Sequence, residues 1–98
     1  MGFVQVIEFR TDRIDEVNAL IDEWIKTSEE WRTPTRGTLG SDRDQPGTYI
    51  QIVEFPSYEL AMENSNRPET GEFASRLAAL CLGEATFRNL DVVRSETM

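Results

Sequence analysis

The chain has 98 residues, 18 acidic against 10 basic, for a net charge of −8. That balance disfavours nucleic-acid backbones and anionic membrane surfaces as partners. With no histidine and one cysteine, His-based triads, histidine-ligated haem, most transition-metal sites and any intrachain disulfide drop out.

Residues 1–98 read as a single domain. No apolar run approaches the roughly 20 residues of a membrane span, and no basic-then-apolar leader opens the chain, so a cytoplasmic protein is expected. A chain this short buries only about 60–70% of the surface its unfolded form exposes. Any sizeable cavity is therefore expected to be built by two chains together.

The first predicted strand runs from Phe3 to about Arg10. It opens with Phe3-Val4-Gln5-Val6-Ile7-Glu8-Phe9, apolar on both faces and so expected to be covered on both. A helix follows over about Arg13 to Thr27. Asp12 is its expected N-cap, and Ile14, Val17, Leu20, Ile21, Trp24 and Ile25 form its apolar stripe. Trp31 to Gly47 holds a short edge strand, Thr35 to Ser41, and a Pro46-Gly47 turn. Trp31, Arg32 and Arg36 are candidates for a pocket mouth that would hold an anionic substrate.

The strand Thr48 to Phe55 comes next. Its Tyr49-Ile50-Gln51-Ile52-Val53-Glu54-Phe55 repeats the residue classes of the opening strand position by position. A helix over Tyr58 to Asn64 is capped by Ser57. Asn64 to Pro68 reads as a polar linker or lid. A third helix, Glu69 to Leu82, carries Phe73, Leu77, Leu80 and Cys81 at helical spacing and stops at Gly83. Cys81 reads as core packing. The last strand spans Thr86 to Arg94.

The order predicts a ferredoxin-like α+β sandwich, βαββαβ, with a four-stranded antiparallel sheet. The two repeated strands are expected side by side and parallel at its centre. Val4, Val6, Ile50, Ile52, Leu90 and Val92 are assigned to the helix-facing side. The other face would carry Phe3, Gln5, Ile7, Phe9, Tyr49, Gln51, Val53, Phe55, Phe87, Asn89, Asp91 and Val93. A face so apolar needs a cover. The expected cover is a second copy, giving a homodimer through this sheet face. Such a dimer encloses either a small-molecule pocket or a filled interface.

Four stretches carry a resemblance: Gly2-Phe3-Val4-Gln5-Val6, Glu23-Trp24-Ile25, Thr48 to Met62, and Thr86-Phe87-Arg88-Asn89-Leu90-Asp91-Val92-Val93-Arg94. With them the chain resembles antibiotic-biosynthesis monooxygenase-like proteins of the dimeric α/β-barrel superfamily, short actinobacterial members in particular. The resemblance implies a cofactor-independent monooxygenase that oxidises an aromatic or polyketide-like small molecule with O₂, needing neither metal nor flavin. In that family a polar side chain on the third strand, an aromatic four residues later and a tyrosine on the next helix orient the substrate. Those positions here are Gln51 for asparagine, Phe55 for tryptophan and, for the tyrosine, near Met62, with Tyr58 one turn earlier. Trp24 keeps the helix-one tryptophan. Haem-using relatives need a histidine that this chain lacks.

On this reading Gln51 and Gln5 bind a phenol or enolate oxygen, or else form an amide ladder between adjacent strands. Asp91, the one carboxylate on the chosen face, is a general base if buried among Phe87 and Val93, or a solvated strand-end carboxylate if not. Trp24, Tyr49, Phe55, Met62, Phe87 and Asn89 complete the candidate binding residues. The alternatives are a non-catalytic binding or structural dimer, and an isomerase or cyclase using the same pocket.

Overall fold

A computed structural model describes residues 2–98. The element order is β1 (Phe3–Arg10), α1 (Ile14–Thr27), β2 (Arg36–Ser41), β3 (Thr48–Phe55), α2 (Tyr58–Ser65), α3 (Pro68–Leu80) and β4 (Thr86–Asp91). The strands form one sheet in the order β2-β3-β1-β4, every neighbouring pair antiparallel. This is the expected ferredoxin-like βαββαβ arrangement.

The repeated strands β1 and β3 are adjacent, as expected, but antiparallel. The correction follows from connectivity. A helix crossover returns the chain parallel to the strand it left, so β1 is parallel to β2 and β3 to β4. Interleaving the two units places β3 between β1 and β2, running against both. Gln5 therefore sits opposite Val53, and Gln51 opposite Ile7. The two glutamines do not face one another, and no amide ladder joins them.

Local signals explain most boundaries. Ser57 caps α2, its hydroxyl accepting from Leu60 N–H at 3.2 Å. At α1 the N-cap position falls on Arg13 and carries no side-chain capping bond, so the expected Asp12 cap does not form, and Thr11 braces the turn before the helix instead. Thr11 is buried, accepts from Arg13 N–H at 3.0 Å and donates to the Leu80 carbonyl at 2.6 Å. One side chain thus ties the start of α1 to the end of α3. Gly47, φ +89°, turns the chain into β3. Pro68 takes the first turn of α3, where a missing N–H costs little. That helix ends at Leu80, two residues before the expected Leu82.

The helices cover the sheet face opposite to the one assigned from the sequence. Ile7 and Phe9 of β1 pack with Val17 and Leu20 of α1 and Leu77 of α3. Phe3 and Phe55 pack with Ala61 of α2. Phe3, Ile7, Phe9 and Phe55 are thus interior, while Ile52 is 37% and Leu90 47% exposed. Val4, Val6, Ile50, Ile52, Leu90 and Val92 form the outer face. Both strand parities are apolar, so alternation alone left the choice open. The bulkier set lies under the helices, where its aromatic and branched side chains reach across to α1, α2 and α3.

Arg76 grips Glu23 through a bidentate pair at 2.9 Å, linking α1 to α3. The hydrogen bonds from Arg76, then its charge, hold the Glu23 carboxyl below its ordinary value. Both groups are exposed, so the pair orients the helices more than it stabilises them. The Cys81 thiol donates to the Leu77 carbonyl at 3.2 Å, and burial pushes its pKa up. It is a packing group, as its spacing suggested. Among the described residues no helix is long and apolar enough to cross a membrane.

Candidate functional site

A cavity of about 520 Å³ lies between the sheet and the helices of a single chain. Its size is within the range of small-molecule sites. The expectation that two chains would be needed to build a cavity is corrected. Strand β1 offers Gln5, Ile7 and Phe9, strand β3 Gln51, Val53 and Phe55, and β4 Phe87. Helix α1 presents Ile21, Trp24 and Ile25, and helix α3 presents Thr70, Phe73 and Leu77. The small residues Gly71 and Ala74 leave room where larger side chains would fill it.

The polar atoms of this wall are its chemistry. Trp24 Nε1, Gln51 Oε1, Asn64 Oδ1 and Thr70 Oγ1 are buried without a hydrogen-bond partner in the protein. All belong to residues that line the cavity. An unpaired buried polar group costs about 1–3 kcal/mol. Residues bearing four such groups border one space, and a side-chain rotation that turned each polar atom toward it would offer donors and acceptors to a polar guest. The indole N–H only donates, the carbonyl oxygens of Gln51 and Asn64 only accept, and the Thr70 hydroxyl does either.

Each polar atom has an identifiable holder. Trp24 is wedged edge-on to Trp31, with ring centroids 6.1 Å apart, and tilted against Phe73 at 6.0 Å. Gln51 lies beside Gly37 of the edge strand. A Cβ added at Gly37 would stand 3.3 Å from Gln51 Nε2, so the glycine gives the amide its berth. Asn64 closes the last turn of α2 and is 6% exposed. Thr70 opens α3.

Of the sequence candidates, Gln51, Gln5, Trp24, Phe55 and Phe87 meet at the cavity. The others lie elsewhere. Tyr49 stacks on Phe9 at 5.9 Å and supports the wall from behind. Met62 packs with Phe3 and Phe55 in the second core cluster and does not line the cavity. Asn89 does not line the cavity but accepts from Gln5 Nε2 at 3.3 Å. Asp91 sits at the exposed end of β4. Its intended neighbours Phe87 and Val93 are 54% and 85% exposed, so the burial that would have made it a base is missing. Among the described residues no group of three or more metal-binding side chains is gathered.

The sequence marks Asn64 only as the junction between the second helix and a polar linker, and marks Thr70 as no site residue at all. Nothing local marks either residue as part of a site. Their role depends on α2 and α3 meeting end to end beside β3, a long-range outcome.

No protein-family model and no curated protein matches the sequence. Solved structures do match. A variant of SnoaB, a cofactor-independent oxygenase from Streptomyces nogalater, superposes with a TM-score of 0.81 at 16% identity, covering 96% of this chain and 95% of that one. An antibiotic biosynthesis monooxygenase gives 0.73 at 20% identity, covering 96% and 100%. Rv0793 from Mycobacterium tuberculosis gives 0.78 at 13%, covering 99% and 100%. The chain has the fold of the antibiotic biosynthesis monooxygenase-like proteins, as the sequence resemblance implied.

Proposed function

We propose that this chain, sharing that fold, is a cofactor-independent monooxygenase that takes an aromatic or polyketide-like phenol into its intramolecular cavity and oxidises it with O₂. The observation that carries the reading is the set of unpartnered polar atoms on residues of a mainly apolar wall. Apolar side chains such as Ile7, Phe55 and Phe73 hold a planar ring system. Trp24 Nε1 donates to a substrate oxygen and stabilises the negative charge that develops there on ionisation. The Gln51 and Asn64 carbonyls accept from substrate hydroxyls and set the orientation.

For an anthrone-like substrate, a C–H bond breaks and its electron pair delocalises into a phenolate. The proton leaves to water. One electron passes to O₂, the resulting radicals combine at carbon, and loss of water leaves a carbonyl. One oxygen atom of O₂ ends in the quinone and the other in water, so R₂CH₂ and O₂ become R₂C=O and H₂O.

The cavity wall carries no carboxylate, and its charged members are two arginines. The substrate's own acidity therefore supplies the reactive anion. O₂ uptake without added metal or flavin, measured on a panel of anthrones and dihydroxynaphthalenes, should rise with pH and level off near each substrate's own pKa. One fixed inflection shared by all substrates would assign a protein base and overturn this account. No uptake above the uncatalysed rate would favour the second reading, a binding protein without turnover. The absence of any general base from the wall favours that reading too. Turnover that persists without O₂ would point to an isomerase or cyclase.

The chain is proposed to work as a homodimer. Its contact is the outer sheet face of Val4, Val6, Ile50, Ile52, Leu90 and Val92, since the face first assigned to the partner is covered by helices. Exposed Ile52 and Leu90 need a cover. Glu8 and Glu54 toward the strand ends and Arg88 opposite Val6 offer both signs of charge on this face for a two-fold pairing. Ile52→Asp should convert the dimer to a monomer in sedimentation velocity with its helix signal retained. A parent protein that sediments as a monomer would remove the dimer.

A further inference from the structure

We propose that Arg32 selects substrates bearing a carboxylate, so that the ligand class is an aromatic phenol carrying an acid group. This deepens the reading of the cavity as an aromatic-binding site and rests on it. The chain holds 18 acidic residues, yet none of them lines the cavity, whose charged members are Arg32 and Arg36. The two arginines are not equivalent. Arg36 pairs with Glu54 in the sheet register, which turns its side chain to the outer face, where its Nε lies 3.9 Å from Glu54 Oε2. Arg32 has no carboxylate within ion-pair distance among the described residues. It is exposed and lines the cavity, which places it at the mouth.

The mouth is built, not incidental. Arg32 Nη1 donates to the Ile25 carbonyl near the end of α1 at 2.7 Å, leaving the rest of its fork free. The buried Ser28 carbonyl accepts from both Trp31 N–H at 3.0 Å and Arg32 N–H at 2.8 Å. Downstream, Thr33 Oγ1 donates to the Leu60 carbonyl at 2.6 Å, and Thr35 N–H to the Glu54 carbonyl at 2.8 Å. The segment that carries the guanidinium is thus pinned at both ends. A planar fork with free donors matches a carboxylate, which it can grip with two parallel bonds. The net charge of the chain is negative, so the Arg32 guanidinium, the cavity-lining cation without an ion-pair partner among the described residues, sets where an acid group can rest at the mouth. The ring system then points inward, toward Trp24 and Gln51.

The test is isothermal titration of 3-hydroxy-2-naphthoate and of 2-naphthol, which share a ring system and differ in the carboxylate. The acid should bind about tenfold more tightly, consistent with a charge-assisted pair. That ratio should shrink as ionic strength rises and collapse toward one in Arg32→Gln. Equal affinity for the two probes in the parent protein would overturn the carboxylate assignment while the aromatic cavity stands. A preference that survives Arg32→Gln would overturn Arg32 as its reader. Binding of neither probe would defeat the aromatic-site reading and this proposal with it.

Discussion

Gln51→Ala should lower O₂ uptake on an accepted phenol by roughly 10²-fold, the scale of a small misplacement of the reacting group once a substrate hydroxyl loses the acceptor that orients it. Its thermal transition should barely move. The Gln51 Oε1 atom is buried without a partner in the protein, so its removal relieves a desolvation cost instead of breaking a bond. Activity and stability therefore separate at this position, as they do where a side chain is kept for a ligand. Gly37→Ala acts on the same amide indirectly, because the added methyl would press on Gln51 Nε2. Asp91→Asn is the matched control. Asp91 lies at the exposed end of β4, and its replacement should leave uptake unchanged and stability within about 0.5 kcal/mol. If uptake falls in Asp91→Asn but not in Gln51→Ala, the placement of the site between sheet and helices is wrong.

Phe3→Ala should be the most damaging core substitution away from the cavity, costing about 3–5 kcal/mol. Phe3 is 3% exposed. Its ring meets Phe55 at 6.2 Å and Tyr58 edge-on at 5.5 Å. It closes the cluster that seats α2 on the sheet, with Ala61 buried and Met62 packed alongside. A domain of this size has about 5–15 kcal/mol in hand, so the loss should depress Tm by at least about 12 °C. Chemical denaturation checks the figure. A cost below about 1 kcal/mol would mean that the start of β1 contributes little to the fold. Since Phe3 does not line the cavity, whatever folded fraction remains should bind 2-naphthol with the parent's affinity.

These two residues also mark where sequence reasoning works and where it stops. Phe3 and Gln51 belong to strands that were placed correctly, β3 with the same ends, Thr48 and Phe55. Both were grouped on one strand parity, which the sheet preserves. The side of the sheet was misjudged. Because Val4, Val6, Ile50 and Ile52 are as apolar as Phe3, Ile7, Val53 and Phe55, period-two alternation sorts the side chains into two sets without saying which set meets the helices. Gln51 was nevertheless chosen for its amide, and the cavity it lines lies inside a single chain. Asp91 was chosen on the same parity, but β4 is an edge strand, exposed along its whole length, and parity without depth does not make a buried base.

Elements, their order and their faces follow from local chemistry: β-branched runs, a helical stripe from Ile14 to Ile25, the Ser57 cap and the glycine turn at Gly47. Such signals act over a few residues and survive any assembly of the parts. The direction of β1 against β3, the choice of covered face and the meeting of Trp24, Gln51, Asn64 and Thr70 around one space were settled by packing. Those features depend on contacts between residues far apart in the chain. There the volume of Phe3, Ile7, Phe9 and Phe55 has to be filled by α1, α2 and α3 at once, and no local pattern records that constraint.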